Sequence, residues 1–233
     1  MATEVTLSPA AGRVGAAIAA AAARTGIDFA TLFATARLES GLDPDAKAAT
    51  SSATGLFQFI DSTWLATLAR HGARHGIAPP SRTAALELRR DPLVASLMAA
   101  ELMTENRHRL EGALGRAADA ADLYLAHFLG PAGAVRFLSA LARTPERLAA
   151  ELFPAAAAAN RAIFHGADGP RTLAEVHALL TRRLGRAMPE ASAAARAASA
   201  STAQTSRTTA DAEAPLAGVV GRLARLLLAG LGG

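Results

Sequence analysis

The chain has no cysteine, and lysine and tyrosine occur once each, at Lys47 and Tyr124. The missing thiol excludes disulfides, thiolate metal sites and a cysteine nucleophile. Aromatic residues make up only 4%, and valine and isoleucine are sparse beside alanine, so helices are favoured over strands. No run of 18 apolar residues occurs, which leaves no ordinary membrane-spanning helix. The amino-terminal stretch MATEVTLSPAAGRVGAAIAAAAARTG has no basic region ahead of its apolar run and does not read as a cleavable signal. Basic residues exceed acidic ones by 4, and nearly all are arginine. They form no dense stripe interleaved with aromatics, so nucleic acid is not an expected partner. Nothing in the pattern calls for a cofactor or a metal ion.

What is present is an alanine-rich chain of 233 residues, 51% hydrophobic and 19% charged, enough for one all-α domain with a core and a tail. Asp28 reads as the N-cap of a helix whose apolar positions Phe29, Leu32, Phe33 and Ala36 keep helical spacing, and Gly41 supplies its stop. Asp61 or Ser62 is expected to cap a helix carrying Trp64 and Leu68. Asp91-Pro92 opens a long one, Gly130-Pro131 closes a helix over 116–129 ahead of another over 133–142, and Thr172 with Glu175 forms a capping box for a helix through about residue 184. Beyond it, residues 187–215 are rich in alanine, serine and threonine and read as a disordered linker, and residues 216–233 as an amphipathic helix. The predicted domain is thus 1–186, with a motif-bearing core at 24–142. The two arginines of the final segment, Arg222 and Arg225, suit docking on the domain itself, on a protein partner or on an anionic membrane surface.

One carboxylate stands out. The apolar stripe of Leu32 and Ala36 continues to Glu39, where apolar neighbours disfavour the charged form. A carboxylic acid that holds its proton can hand it to a leaving group. Glu39-Ser40 is followed by Gly55-Leu56-Phe57-Gln58-Phe59 and by Asp61-Ser62-Thr63-Trp64, with LYLAHFLGPAG further on. This series resembles the soluble lytic transglycosylases of the lysozyme-like superfamily, close to the goose-type lysozymes, whose motifs read E-S, G-L-M-Q-I, P-x-T-W and A-Y-N-x-G-P. His127 falls where that family carries tyrosine, and Tyr124 lies one turn earlier.

The resemblance implies a lysozyme-like fold and a peptidoglycan substrate, with action in the periplasm or cell wall. It makes Glu39 the acid and then the base of a reaction that leaves 1,6-anhydro-N-acetylmuramic acid ends. It implies that Ser40, Gly55, Phe57, Gln58, Tyr124 and His127 line the substrate site or support Glu39. Glu101, among Leu97, Met98 and Leu102, either pairs with an arginine or borders the site as a second carboxylate. The alternatives are a hydrolysing muramidase, or a non-catalytic wall-binding or assembly module that keeps the fold.

Overall fold

The computed structural model describes residues 9–213. They form ten helices in chain order: α1 (Pro9–Thr25), α2 (Phe29–Ser40), α3 (Asp61–His71), α4 (Arg82–Glu87), α5 (Pro92–Leu114), α6 (Ala120–Arg143), α7 (Ala149–Leu152), α8 (Pro154–Ala159), α9 (Arg161–Phe164) and α10 (Leu173–Glu213). A two-stranded antiparallel hairpin, β1 (His165–Gly166) with β2 (Gly169–Pro170), is the one sheet among the described residues. The fold is all-α.

Local chemistry sets most boundaries. The Asp28 carboxylate accepts the Thr31 N–H at 2.8 Å, and Gly41, at φ 67°, closes α2. The Asp91 carboxylate accepts the N–H groups of Leu93 and Val94, both at 2.9 Å, with Pro92 just inside the helix. The Thr172 N–H meets Glu175 Oε2 at 2.8 Å while the Glu175 N–H meets Thr172 Oγ1 at 3.2 Å, completing the capping box. Gly130, at φ 71° and ψ 161°, breaks α6 into two helical halves ahead of Pro131. By length and composition α6 could cross a membrane, but it reaches that length only across this break, and it packs on α5 and α10.

The cap of α3 departs from expectation. Ile60 occupies the N-cap without a side-chain bond, and the Asp61 carboxylate accepts from Arg89 at 2.8 Å instead. A buried guanidinium makes a stronger claim on a carboxylate than a helix N–H does.

Two apolar cores lie along the chain. The first gathers Val14, Ile18, Phe33, Leu56, Phe57, Trp64 and Met98. The second gathers Leu110, Tyr124, Leu125, Phe137, Phe164 and Leu180. Helix α2 serves both: Leu32 and Ala36 are buried in the first, and Ala34 in the second, with Leu38 packed against it. Helix α10 also serves both, with Leu184 and Ala187 in the second and Ala191 and Ala194 in the first.

This corrects the expected linker, because residues 187–213 continue α10. Alanine is the strongest helix former, and its small side chain allows α10 to approach α1 and α2 closely. Over residues 187–194 the scarcity of large apolar residues therefore signalled close packing of Ala187, Ala191 and Ala194 rather than disorder. The predicted helix over 216–233, and with it the membrane or partner contact, lies outside the described residues. A chain ending at residue 186 loses the buried Ala187, Ala191 and Ala194 and the 2.8 Å Arg37–Glu190 ion pair. We expect it to be less stable by about 2 kcal/mol, almost all from the alanines because the ion pair is exposed. Urea denaturation of the two chains measures the difference.

A polar network joins α3 and the 3-10 turn after it to α5. Glu105 takes two bonds from Arg70, at 2.9 and 3.0 Å, and one contact with His71 at 2.5 Å. Burial pushes the Glu105 carboxyl up, but hydrogen bonds and charge from Arg70 and His71 outweigh it and hold it below its ordinary 4.5. A lowered carboxylate contributes stability above its unfolded value, and that contribution is lost as pH falls through the folded value. The wild type should therefore lose stability below about pH 4.5 more steeply than Glu105→Gln, as thermal melts across an acid series would read.

Candidate active site

Glu39 stands on the last turn of α2, with 21% of its side chain exposed. It is withdrawn from bulk water yet open to a ligand. His127 Nε2 lies 3.7 Å from Glu39 Oε1, and the rings of Tyr124 and His127 stack at 6.4 Å with an interplanar angle of 16°. Both come from the first half of α6, one helical turn apart, before the break at Gly130. Burial pushes the Tyr124 phenol far above its ordinary range. The neighbouring Glu39 charge and hydrogen bonding to that carboxylate add to the rise, and Arg183 partly opposes it. The phenol thus keeps its proton and stays a neutral donor.

The loop after α2 is fixed from three sides. Ser40 Oγ donates to the Leu56 carbonyl at 2.9 Å and to Ala36 at 3.1 Å, tying the residue beside Glu39 to the Gly55–Phe59 turn. Gly55, at φ +82°, is packed so tightly that a Cβ would lie 2.2 Å from the Arg89 carbonyl oxygen. Arg89 Nη1 donates to the carbonyls of Ser52 and Phe59, at 2.8 and 3.0 Å, as well as to Asp61. Gln58 has a left-handed backbone, φ 46°, and its Nε2 donates to the carbonyls of Gly55 at 2.9 Å and Ala46 at 3.2 Å.

Several expected roles change with this geometry. Phe57 is fully buried in the first core, so it does not wall a sugar site. On the side where a Cβ would sit, Gly55 meets the Arg89 backbone. The Gln58 NH2 is spent on its own loop, while its carbonyl oxygen takes no bond from the described residues. Glu101 is held by Arg74 at 3.0 Å and His75 at 2.8 Å. It lines a separate cavity of about 540 Å³ with Arg24, Thr25 and Thr104, to which none of Glu39's neighbours contributes. Glu101 is thus the arginine-paired residue and not a second carboxylate beside Glu39. Arg89 carried no sequence signal, because one arginine among many is indistinguishable until its carbonyl partners are known.

The other carboxylates of the motif region are also committed. Asp43 accepts the Asp45 N–H at 2.9 Å, Asp45 pairs with Arg90 at 3.2 Å, and Asp61 pairs with Arg89. Glu39 thus has a phenol, an imidazole and, through Ser40, a stiff glycine-led loop as its neighbours. A family model described as the transglycosylase SLT domain matches residues 16–136, a stretch that contains all of these groups. That match covers more than half of the chain, and the chain belongs to the SLT family, the peptidoglycan lytic transglycosylases.

Proposed function

We propose that the protein cleaves the β-1,4 bond between N-acetylmuramic acid and N-acetylglucosamine with Glu39 as its single acid and base, leaving 1,6-anhydro ends. The observation that carries this reading is the place of Glu39, partly withdrawn from water on the last turn of α2, beside Tyr124 and His127. Glycosidases that use water need two carboxyl groups flanking the bond. Here the second is replaced by the substrate. Glu39 gives its proton to the glycosidic oxygen, the bond from C1 to that oxygen breaks, and the N-acetylglucosamine hydroxyl leaves. The muramic acetamido oxygen supports the positive charge at C1. The Glu39 carboxylate then takes the proton of the C6 hydroxyl as O6 bonds to C1, so the acid is restored and no water is consumed.

Tyr124 stabilises the carboxylate between the two steps by donating to it, and His127, when protonated, adds a positive charge 3.7 Å away. Ser40 holds the Gly55–Phe59 loop at a fixed distance from Glu39, leaving the Gln58 carbonyl oxygen as an acceptor for a sugar hydroxyl or amide. Peptidoglycan as substrate places the action in the periplasm or cell wall.

Digestion of purified sacculi, followed by mass spectrometry of the soluble muropeptides, tests the reaction. Anhydro ends are expected, and reducing ends would make the protein a hydrolase. Tyr124→Phe removes only the donor. A hydrogen bond to a charged group is worth about 1.5–3 kcal/mol, so kcat should fall roughly 10- to 100-fold with KM little changed, which steady-state kinetics on soluble glycan strands would measure.

A further inference from the structure

Arg89 stands in a 3-10 turn, Leu88–Arg90, between α4 and α5. That turn is firmly seated. Arg89 Nε donates to the Leu86 carbonyl at 3.0 Å, and Asp91 caps α5 two residues after Arg89. Only 9% of the Arg89 side chain is exposed, and a cation withdrawn from water is costly unless its hydrogens find acceptors. It finds them on the loop beside Glu39. Nη1 reaches the carbonyls of Ser52 and Phe59, which bracket Gly55, and the Asp61 carboxylate where α3 begins. The Arg89 carbonyl meets the same turn at Gly55, so one residue grips the turn by side chain and by backbone. From the turn the contacts run on to the acid. Leu56 accepts from Ser40 Oγ at 2.9 Å, and Ser40 is the neighbour of Glu39 in α2. In the motif that the chain resembles, a proline occupies the place of Asp61, and a proline fixes its own backbone. Asp61 has no such constraint, and its carboxylate is held by Arg89 instead.

We propose that Arg89 is a positioning residue for glycan binding, which holds the Gly55–Phe59 turn so that the Gln58 carbonyl oxygen is ready to accept from a sugar bound against Glu39. The inference rests on the reading of Glu39 and this turn as a glycan site. Gln58 needs the support. Its backbone is left-handed, φ 46°, and its Nε2 depends on the Gly55 and Ala46 carbonyls staying in place. A non-glycine residue keeps such a conformation only while its surroundings impose it. When the grip is loosened, the turn must be ordered each time glycan binds, and the loss falls on affinity.

The test compares Arg89→Lys with the unaltered chain. Lysine keeps a positive charge for Asp61, but as a point donor it cannot serve the Leu86 carbonyl and the three loop oxygens together. Steady-state cleavage of soluble glycan strands should show KM raised roughly tenfold, with the pH profile of kcat unchanged because Tyr124 and His127 are untouched. Calorimetric binding of the same strands to Glu39→Gln, with and without Arg89→Lys, should show a similar rise in Kd. A partly unfolded sample lowers kcat but leaves KM where it was, so a structural role alone does not give this result. Should Arg89→Lys fail to fold in a thermal melt, Asp61→Ala decides. The Asp61 side chain is 35% exposed, its removal takes away one anchor of Arg89, and KM should rise about threefold. An unchanged KM in the folded variant overturns the proposal. Glycan strands that do not bind Glu39→Gln at all would instead overturn the reading of the site, and reducing ends in the digest would overturn the anhydro-forming reaction while leaving the KM ratio standing.

Discussion

Glu39→Gln should lower glycan cleavage by on the order of 10²- to 10⁴-fold while the fold is kept. Gln has the size of Glu and retains an oxygen to accept from Tyr124, so packing at the end of α2 changes little. What disappears is the proton that must reach the glycosidic oxygen and the base that must recover one from C6. With a second carboxylate nearby, some of that work could pass to a neighbour. Asp45, Asp61 and Glu101 each pair with an arginine, and Asp43 accepts a backbone N–H of its own loop, so each already has another role. Release of soluble muropeptides over time, with circular dichroism melts of both proteins, measures the two halves of the expectation. A variant that kept more than about a tenth of the rate would remove Glu39 from the acid role.

Gly55→Ala should be among the most damaging single-methyl additions in the chain. The new Cβ would sit 2.2 Å from the Arg89 carbonyl oxygen and 3.1 Å from its carbon. These are backbone atoms, and the Arg89 side chain is itself buried and bonded to Ser52, Phe59 and Asp61. The clash cannot be relieved by swinging a flexible side chain aside. The positive φ adds strain that alanine does not tolerate well. Overpacking at roughly 1–3 kcal/mol and left-handed strain at about 1–2 kcal/mol sum to a loss of about 2–5 kcal/mol. For a chain of this size that is a fall in Tm of on the order of 10 °C, which differential scanning calorimetry would register. Activity should fall further than stability alone explains, because the displaced turn is the one that Ser40 holds against the end of α2.

The sequence carried those parts of the fold that are decided within a few residues. The Asp28 and Asp91 caps, the Gly41 stop, the Gly130 break and the Thr172–Glu175 box each depend on neighbours one turn away, and each is present. The helical stripe likewise put Glu39 at the end of α2, and the spacing within α6 put Tyr124 and His127 on one side of it. Contacts between distant segments were not legible. The Gly55–Arg89 approach, the claim of Arg89 on Asp61 and the grip of Arg74 and His75 on Glu101 join residues 26 to 34 positions apart or thereabouts, where periodicity carries no information. Phe57 could equally have faced a sugar or the core, since an aromatic in a turn has no intrinsic preference between them. The extension of α10 was hidden by a different physics: small residues pack by closeness rather than by bulk, so low apolar content looked like disorder.

The central claim is that Glu39 alone closes the anhydro ring without water. It is tested most directly by digesting sacculi in water enriched in heavy oxygen and analysing the new glycan ends by mass spectrometry. The expected result is 1,6-anhydro-N-acetylmuramic acid at every cut, with no heavy oxygen incorporated and on the order of a hundredfold or more fewer cuts by Glu39→Gln. Labelled reducing ends would show that water attacks C1, and would contradict the single-acid mechanism.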